Sequence, residues 1–365
     1  MVILQWAATW CTDLWNGDMK SAFLQGLADT ERPTSIFMRP PSDGISISVI
    51  KDWTWGVLYE LSAPVYGQAN APRRWFLYVL GVMLKLSWCQ RTLDPCLFLL
   101  IINNEVVALL GIHVDDIVAT ARKGYEQGLW DVKASFTWGT EWEVNDFIFV
   151  GRHIKKHDNH EITLDQSHYV ADLTIPKCKL DPETKLTSDP ELLTDFRSGS
   201  GSLQWLAGMT RGDVAADTSL TQKSKDDLTV ADLNEVNRTL KYVKATADAC
   251  VRIVPVPIED MILIPFGDSA FANAPNNKSQ GGLLIAATTR AALLGEAPAS
   301  LLEWKSYRHQ RKMRSTLACE AAALDRAEDH ANFIGCVMSE CFFADYIAAE
   351  AKNSKIEIVP VTDAR

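Results

Sequence analysis

The chain has 365 residues, 47% hydrophobic and 22% charged, with a formal net charge of −10 at pH 7. That composition is globular, and the length suits two or three domains. The acidic balance excludes a protein held on nucleic acid by bulk charge, but leaves room for a local basic groove, because affinity depends on the phosphates contacted.

Eight cysteines are scattered with no Cys-x-x-Cys pair, which reads as reduced thiols in an intracellular protein. The longest apolar run, Cys96 to Ile112, is broken by Asn103-Asn104-Glu105 and is no membrane span. Met1-Val2-Ile3-Leu4 lacks the basic start of a signal peptide and enters an apolar segment at once, as if the chain began inside a domain.

In chain order, Ile3 to Trp10 predicts a buried helix. A short apolar strand then ends in Asp18, and Phe23 follows five residues later. Around Asn70-Ala71-Pro72 a helix is predicted, with Asn70 as a capping candidate and Pro72 in the first turn. Its apolar face runs through Trp75, Val79, Leu80 and Met83 to about Leu86. Arg73 and Arg74 in its first turn can meet phosphate, a carboxylate or only solvent.

Leu97 to Ile102 and Val106 to Ile112 flank Asn103-Asn104, a turn signal. The second run reaches Asp115-Asp116, and Ile117, Val118 and Ala119 continue as a strand. Two adjacent acids thus fall at a hairpin tip in an otherwise buried sheet. They repel each other and lose hydration unless something neutralises them, and a hard divalent cation is the usual partner. Taken alone, the pair reads first as a polar turn, where Asp is common.

Lys123 to Trp138 predicts a helix. Phe149 to Ile154 and Ile162 to Tyr169 predict two strands of a hairpin. His153, His157 and His160 fit a polar turn around Asp158-Asn159 better than a zinc site. Residues 179 to 201 are polar and rich in Pro, Asp, Ser and Thr, which predicts a linker. Ser200 to Ala215 and Asp232 to Thr246 predict helices.

The last hundred residues predict strands at Met261 to Phe266, Gly281 to Thr288 and Leu302 to Lys305. A helix from about Ser315-Thr316 carries Glu320, and a final strand, Ile356 to Val361, leads to Asp363. With Asp268 these make two acids at strand ends and one in a helix, the ingredients of a metal cluster in an α/β fold. The basic run Arg308 to Arg314 reads equally as a contact to a nucleic-acid backbone or as a solvated loop. No glycine-rich nucleotide loop of the common spacings occurs.

Several of these blocks, in this order, resemble reverse transcriptases of copia-type retrotransposons. Asp18-Met19-Lys20-Ser21-Ala22-Phe23-Leu24-Gln25-Gly26 is similar to that family's Asp-Val-Lys-Thr-Ala-Phe-Leu-Asn-Gly. Ile36 to Pro41 resembles its next block. Tyr66-Gly67-Gln68-Ala69-Asn70-Ala71-Pro72-Arg73-Arg74-Trp75 resembles Tyr-Gly-Leu-Lys-Gln-Ala-Pro-Arg-x-Trp, and Val114-Asp115-Asp116 its Tyr-Val-Asp-Asp box. Asp268-Ser269-Ala270-Phe271-Ala272 and Ser315 to Ala322 resemble two blocks of the ribonuclease H domain that follows the polymerase in the same elements.

The resemblance implies an α+β polymerase palm, a ferredoxin-like antiparallel sheet with helices and truncated fingers, followed by an α/β ribonuclease H-like domain. It places the palm, partial fingers and a primer-grip-like hairpin in 1–178. It places a linker and connecting helices in 179–260, and the nuclease-like domain in 261–365. It implies catalysis and metal binding by Asp18, Asp115 and Asp116, and by Asp268, Glu320 and Asp363, with Mg2+ or Mn2+ as cofactor. Substrate contacts are expected at Phe23, Asn70, Arg73 and His113. The expected partners are an RNA template, a DNA primer, an RNA–DNA hybrid and deoxynucleoside triphosphates, with no membrane. The expected location is intracellular, in a cytoplasmic particle or the nucleus.

Some positions depart from the family pattern. His113 replaces Tyr, Gln68, Ala69 and Asn70 replace Leu, Lys and Gln, and Ala270 and Ala322 stand where the nuclease blocks carry acids. The basic fingers residues expected upstream of Asp18 are absent, and the chain ends before a fourth nuclease acid. These departures support the alternative expectation: a decayed or repurposed element that at most binds nucleic acid.

Overall fold

A computed structural model describes residues 1–26, 35–39, 58–61, 63–274, 277–351 and 353–362. Asp363, expected in the nuclease set, lies outside these residues, as do Pro40 and Pro41.

The chain opens with α1 (Val2–Thr9), β1 (Leu14–Asp18) and the single turn α2 (Ala22–Gln25). A small ladder, β2 (Phe37–Met38) with β3 (Tyr59–Glu60), precedes α3 (Ala71–Lys85). Then come β4 (Trp88–Gln90), β5 (Leu97–Ile102), β6 (Glu105–His113), β7 (Asp116–Ala121), α4 (Gln127–Ser135) and β8 (Glu143–Val144). Six of these strands form an antiparallel sheet in the order β4-β5-β6-β7-β1-β8.

Both faces of this sheet are covered, which is why its central strands read as continuous apolar runs. Leu97, Leu99, Leu109 and Val118 face the core that holds Trp6 of α1. Phe98, Leu100, Leu110 and Ile117 face the core that holds Trp75, Val79 and Met83 of α3 and Leu129 and Val132 of α4. The three α3 positions repeat every four residues, so one stripe of the helix is buried.

A second antiparallel sheet contains β9 (Asp146–Phe149), β10 (Arg152–Lys156) and β11 (Ile162–Asp165), followed by α5 (Ser167–Asp172). The helices α6 (Pro190–Met209), α7 (Ala215–Leu220) and α8 (Val230–Ala245) come next. The helix α6 starts at Pro190, inside the expected linker. Asp189 caps it by accepting from the Glu191 N–H, and proline suits the first turn because it has no N–H to satisfy. Phe196, Leu203 and Leu206 then pack with Val236 and Leu240 of α8. β12 (Val251–Ile253), within the expected connecting segment, pairs with β11 as the fourth strand of the second sheet.

The third sheet joins β13 (Met261–Ala274), β14 (Lys278–Thr289) and β15 (Ala299–Arg308), and after α9 (Thr316–Phe342) it gains β16 (Glu357–Ile358). Its order is β15-β14-β13-β16, antiparallel except that β16 runs parallel to β13. Gly267 lets α9 approach: a Cβ there would stand 2.6 Å from the backbone of Leu324.

The architecture is α+β with antiparallel sheets. One apolar core runs through all three, joining Leu4, Leu97, Phe147, Ile162, Val251, Leu263 and Met338. Buried Glu340 of α9 accepts from the backbone N–H groups of Thr92 and Leu93, at 3.4 and 3.2 Å, in the loop before β5. Among the described residues, no helix is long and apolar enough to cross a membrane.

Candidate metal centre

The register of the first sheet brings the three N-terminal acids together. Asp18 on β1 lies directly opposite Asp116 on β7, and Asp116 pairs on its other side with His113 at the end of β6. Val114 in the connecting turn adopts φ +60°, a left-handed conformation costly for a β-branched residue. Three hydrogen bonds hold this turn and the strand after it. The Trp75 indole Nε1 donates to the Val114 carbonyl, and the Met19 N–H donates to the Asp115 carbonyl at 2.8 Å. Asn16 Nδ2 donates to the Ile117 carbonyl at 2.8 Å.

Asp18, Asp115 and Asp116 are half-buried, and each offers an oxygen within 4.8 Å of the others. Burial raises the Asp116 pKa above the usual carboxylate value, and the charges of Asp115 and Asp18 raise it further. His113 acts in the opposite direction. Three carboxylates drawn together against desolvation and mutual repulsion are the donor set a hard divalent cation requires. The residues therefore fit a hard divalent cation.

A further strand-like segment borders the triad. The Lys20 N–H donates to the Thr137 carbonyl at 3.0 Å, the Gly139 N–H donates to the Asp18 carbonyl at 2.8 Å, and Met19 bridges to Trp138. This pairing explains why α4 ends at Ser135 rather than Trp138. Gly139 packs so closely that a Cβ on it would overlap Asp18 Oδ2.

Other expected site residues surround this centre. Phe23 of α2 is half-buried, with its ring 4.7 Å from that of Tyr66. Asn70 stands at the N-cap position of α3 but makes no side-chain cap bond, contrary to the capping expectation, because its backbone is already helical at φ −93° and ψ −7°. Arg73 is exposed in the first turn of α3, and His113 is exposed at the hairpin end.

In the third sheet, Asp268 is exposed on the face that carries Phe266, Gly282, Leu284 and Trp304, opening on a groove beside Gly212. Gly267 points the other way, against α9. Glu320 lies on α9 one turn before Leu324. Among the described residues, the N-terminal triad is the group of three that meets the geometry of a metal site, and Asp268 and Glu320 do not complete a second. The basic run is partly absorbed by the fold. Arg308 donates to the Gln222 carbonyl, and buried His309 meets Ser269 Oγ at 3.1 Å. Arg311, Lys312 and Arg314 are exposed.

Sequence reasoning misses the supporting residues. Trp75 is legible as an apolar helix position, but periodicity does not say where its single N–H points. Gly139 lies in no motif, and its role depends on a pairing between residues distant in sequence. Tyr66 is visible within a motif but gives no sign of its contact with Phe23.

An antiparallel sheet presenting a carboxylate triad is the frame of a candidate divalent-cation centre. Comparison with known proteins gives that centre a context. The chain is 24% identical over 343 residues to the Retrovirus-related Pol polyprotein from transposon RE1 of Arabidopsis thaliana, covering 88% of this chain and 21% of that protein. It is 23% identical over 251 residues to the putative transposon Ty5-1 protein of Saccharomyces cerevisiae, covering 64% of this chain and 77% of that protein. The Pol polyprotein from transposon TNT 1-94 of Nicotiana tabacum is 22% identical over 309 residues, covering 78% of this chain and 22% of that protein. The chain is thus similar to copia-type retrotransposon Pol polyproteins, and spans about a fifth of the length of RE1 and TNT 1-94. A solved foamy viral protease-reverse transcriptase in complex with an RNA/DNA hybrid aligns with 87% of this chain and 36% of that one, at 11% identity and a TM-score of 0.48. No protein-family model matches.

Proposed function

We propose that the chain is the polymerase and ribonuclease H region of a retroelement Pol polyprotein, acting as an RNA-directed DNA polymerase on an RNA template and DNA primer. The observation that carries this reading is the convergence of Asp18, Asp115 and Asp116, from sequence blocks that resemble the family's motifs, within 4.8 Å on one sheet. In this reading 1–178 is the palm with partial fingers, 179–260 the connector and 261–365 the nuclease-like domain.

Asp18, Asp115 and Asp116 hold Mg2+ or Mn2+. When bound, the metal supplies the Lewis acidity that activates the primer 3′ hydroxyl and offsets charge on the leaving pyrophosphate. The chain's own residues do the positioning. The Trp75 indole and the Met19 N–H fix the turn that aims Asp115 and Asp116. Phe23, backed by Tyr66, faces the nucleotide sugar and excludes a 2′ hydroxyl. Arg73 and Asn70 at the start of α3 meet the template or nucleotide, and His113 lies beside the primer end. Asp268, Glu320 and Asp363 are the proposed nuclease acids for the RNA strand of a hybrid, with the exposed Arg311, Lys312 and Arg314 on its backbone. The proposed location is a cytoplasmic particle or the nucleus.

A second reading, a catalytically inactive element that binds nucleic acid, is favoured by Ala270 and Ala322 standing where the resembled blocks carry acids. One experiment separates the two. A labelled DNA primer on a labelled RNA template is incubated with the chain, deoxynucleoside triphosphates and Mg2+. Primer extension supports the polymerase reading, and shortening of the RNA supports the nuclease. Retention of the duplex with neither product supports the second reading.

A further inference from the structure

We infer that Gly139 is a positioning residue for the metal centre, holding the Asp18 carboxylate in the orientation that joins it to Asp115 and Asp116. This inference rests on the metal-centre reading and extends it to a residue outside every motif in the chain.

Two independent observations support it. First, the backbone of residues 137–139 is laid along Asp18–Lys20. The Gly139 N–H donates to the Asp18 carbonyl at 2.8 Å, and the Lys20 N–H to the Thr137 carbonyl at 3.0 Å. Gln25 clamps that segment from outside. Its Nε2 donates to the carbonyls of Thr137 and Lys20 at 3.0 and 2.6 Å, and its Oε1 accepts from the Thr137 N–H at 3.1 Å. Second, the hydrogen in place of a side chain at Gly139 is what leaves room for Asp18 Oδ2. Any Cβ there displaces the carboxylate, because the backbone beneath is already bonded. The requirement is for space and not for backbone freedom, since Gly139 is absent from the glycines with positive φ. Residues that orient a metal ligand typically govern affinity by about 10- to 100-fold.

The test is Mn2+ binding to the full chain, read by electron paramagnetic resonance of the free ion, with thermal unfolding recorded on the same samples. Gly139→Ala is expected to weaken binding about tenfold or more. In an Asp18→Ala background the same substitution is expected to change affinity less than about twofold, because the two residues then no longer act through one contact. Gly81→Ala, in α3 where an added Cβ meets nothing within 4 Å, is expected to bind like the unsubstituted chain. If Gly139→Ala does not fold, Gln25→Ala takes its place. Losing its three hydrogen bonds is expected to lower the melting temperature by a few degrees. Mn2+ binding, read well below that temperature, is expected to weaken by about threefold or more. Unchanged affinity in the variant that is read, or equal weakening by Gly139→Ala with and without Asp18, overturns the role of Gly139 and leaves the metal centre standing. Failure of the unsubstituted chain to bind Mn2+ overturns the metal centre and the inference with it.

Discussion

The indole of Trp75 on α3 donates its N–H to the carbonyl of Val114, the strained residue immediately before Asp115. The same ring packs 5.9 Å from Tyr78 and 6.0 Å from Phe136. Helix and hairpin tip are thus joined by one polar bond within an aromatic cluster. Trp75→Phe keeps most of the packing and removes the donor. Its expected stability cost is about 1 kcal/mol in urea unfolding. Primer extension is expected to fall more steeply, about tenfold, because misplaced reacting groups cost more in rate than in stability. A loss of activity no larger than the loss of folded protein would contradict this.

Under the proposed function, Asp116 links folding to metal binding. Its folded pKa is raised by burial first, then by Asp115 and Asp18. A raised folded pKa means that the stabilising contribution belongs to the protonated form. It is present below the unfolded value, about 3.9, and is lost as pH rises through the folded value. At pH 7 the metal-free chain therefore carries an unfavourable charge. Asp116→Asn is expected to raise the melting temperature of the metal-free chain at pH 7 and to reduce the additional rise produced by Mg2+. A lower melting temperature without metal would count against the proposed repulsion.

His153 bridges two carboxylates on the second sheet, meeting Asp146 at 2.7 Å and Asp165 at 2.9 Å. The Asp146 hydrogen bond is the main reason its pKa is raised above 6.5, with Asp165 adding to it. Its contribution is full below about pH 6.5 and is lost as pH rises through the folded value. Both acids titrate below their usual value: Asp146 through its bond to His153 and then Lys155, and Asp165 because bonds from Ser167 and His153 outweigh its burial. Their contributions are lost only as pH falls through those lowered values. Stability measured by urea midpoint is expected to peak between about pH 4 and 6.5. His153→Gln is expected to flatten the alkaline side of that peak. An alkaline decline of the same size in the variant would assign it to another group.

Glu340 ties α9 to the loop before β5 by accepting two backbone N–H groups while itself 2% exposed. Glu340→Ala leaves both donors without this acceptor, at an expected cost of about 2 kcal/mol in urea unfolding. Because one apolar core runs through all three sheets, a single cooperative transition is expected in the variant as in the unsubstituted chain. Early release of residues 261–362 in hydrogen exchange, with stability otherwise unchanged, would contradict the shared core.

Much of the candidate site is legible in sequence because its proposed ligands lie in short local patterns. An apolar strand ends in Asp18, and a hairpin tip carries Asp115-Asp116. Their meeting depends on the register of β1 against β7, which a resemblance to known motifs implies and local propensity does not. Elements held by local chemistry are found readily, as with α3 and its proline in the first turn. The start of α6 carries an equally local signal in Asp189-Pro190, but the polar residues after it read as linker until packing against α8 is seen. β12 is legible only through its partner β11, far earlier in the chain. The spatial relation of Asp268 and Glu320 likewise depends on how α9 crosses the third sheet, which strand and helix assignments alone do not fix.

The most direct test of the account is RNA-templated primer extension by the unsubstituted chain and by Asp115→Asn, with Mg2+ and matched folded-protein concentrations. The account expects extension by the unsubstituted chain and a loss of at least about 100-fold in the variant, since removing a group that stabilises transition-state charge costs on that scale. Extension that persists in Asp115→Asn at the unsubstituted rate would contradict the assignment of this triad as the catalytic metal centre.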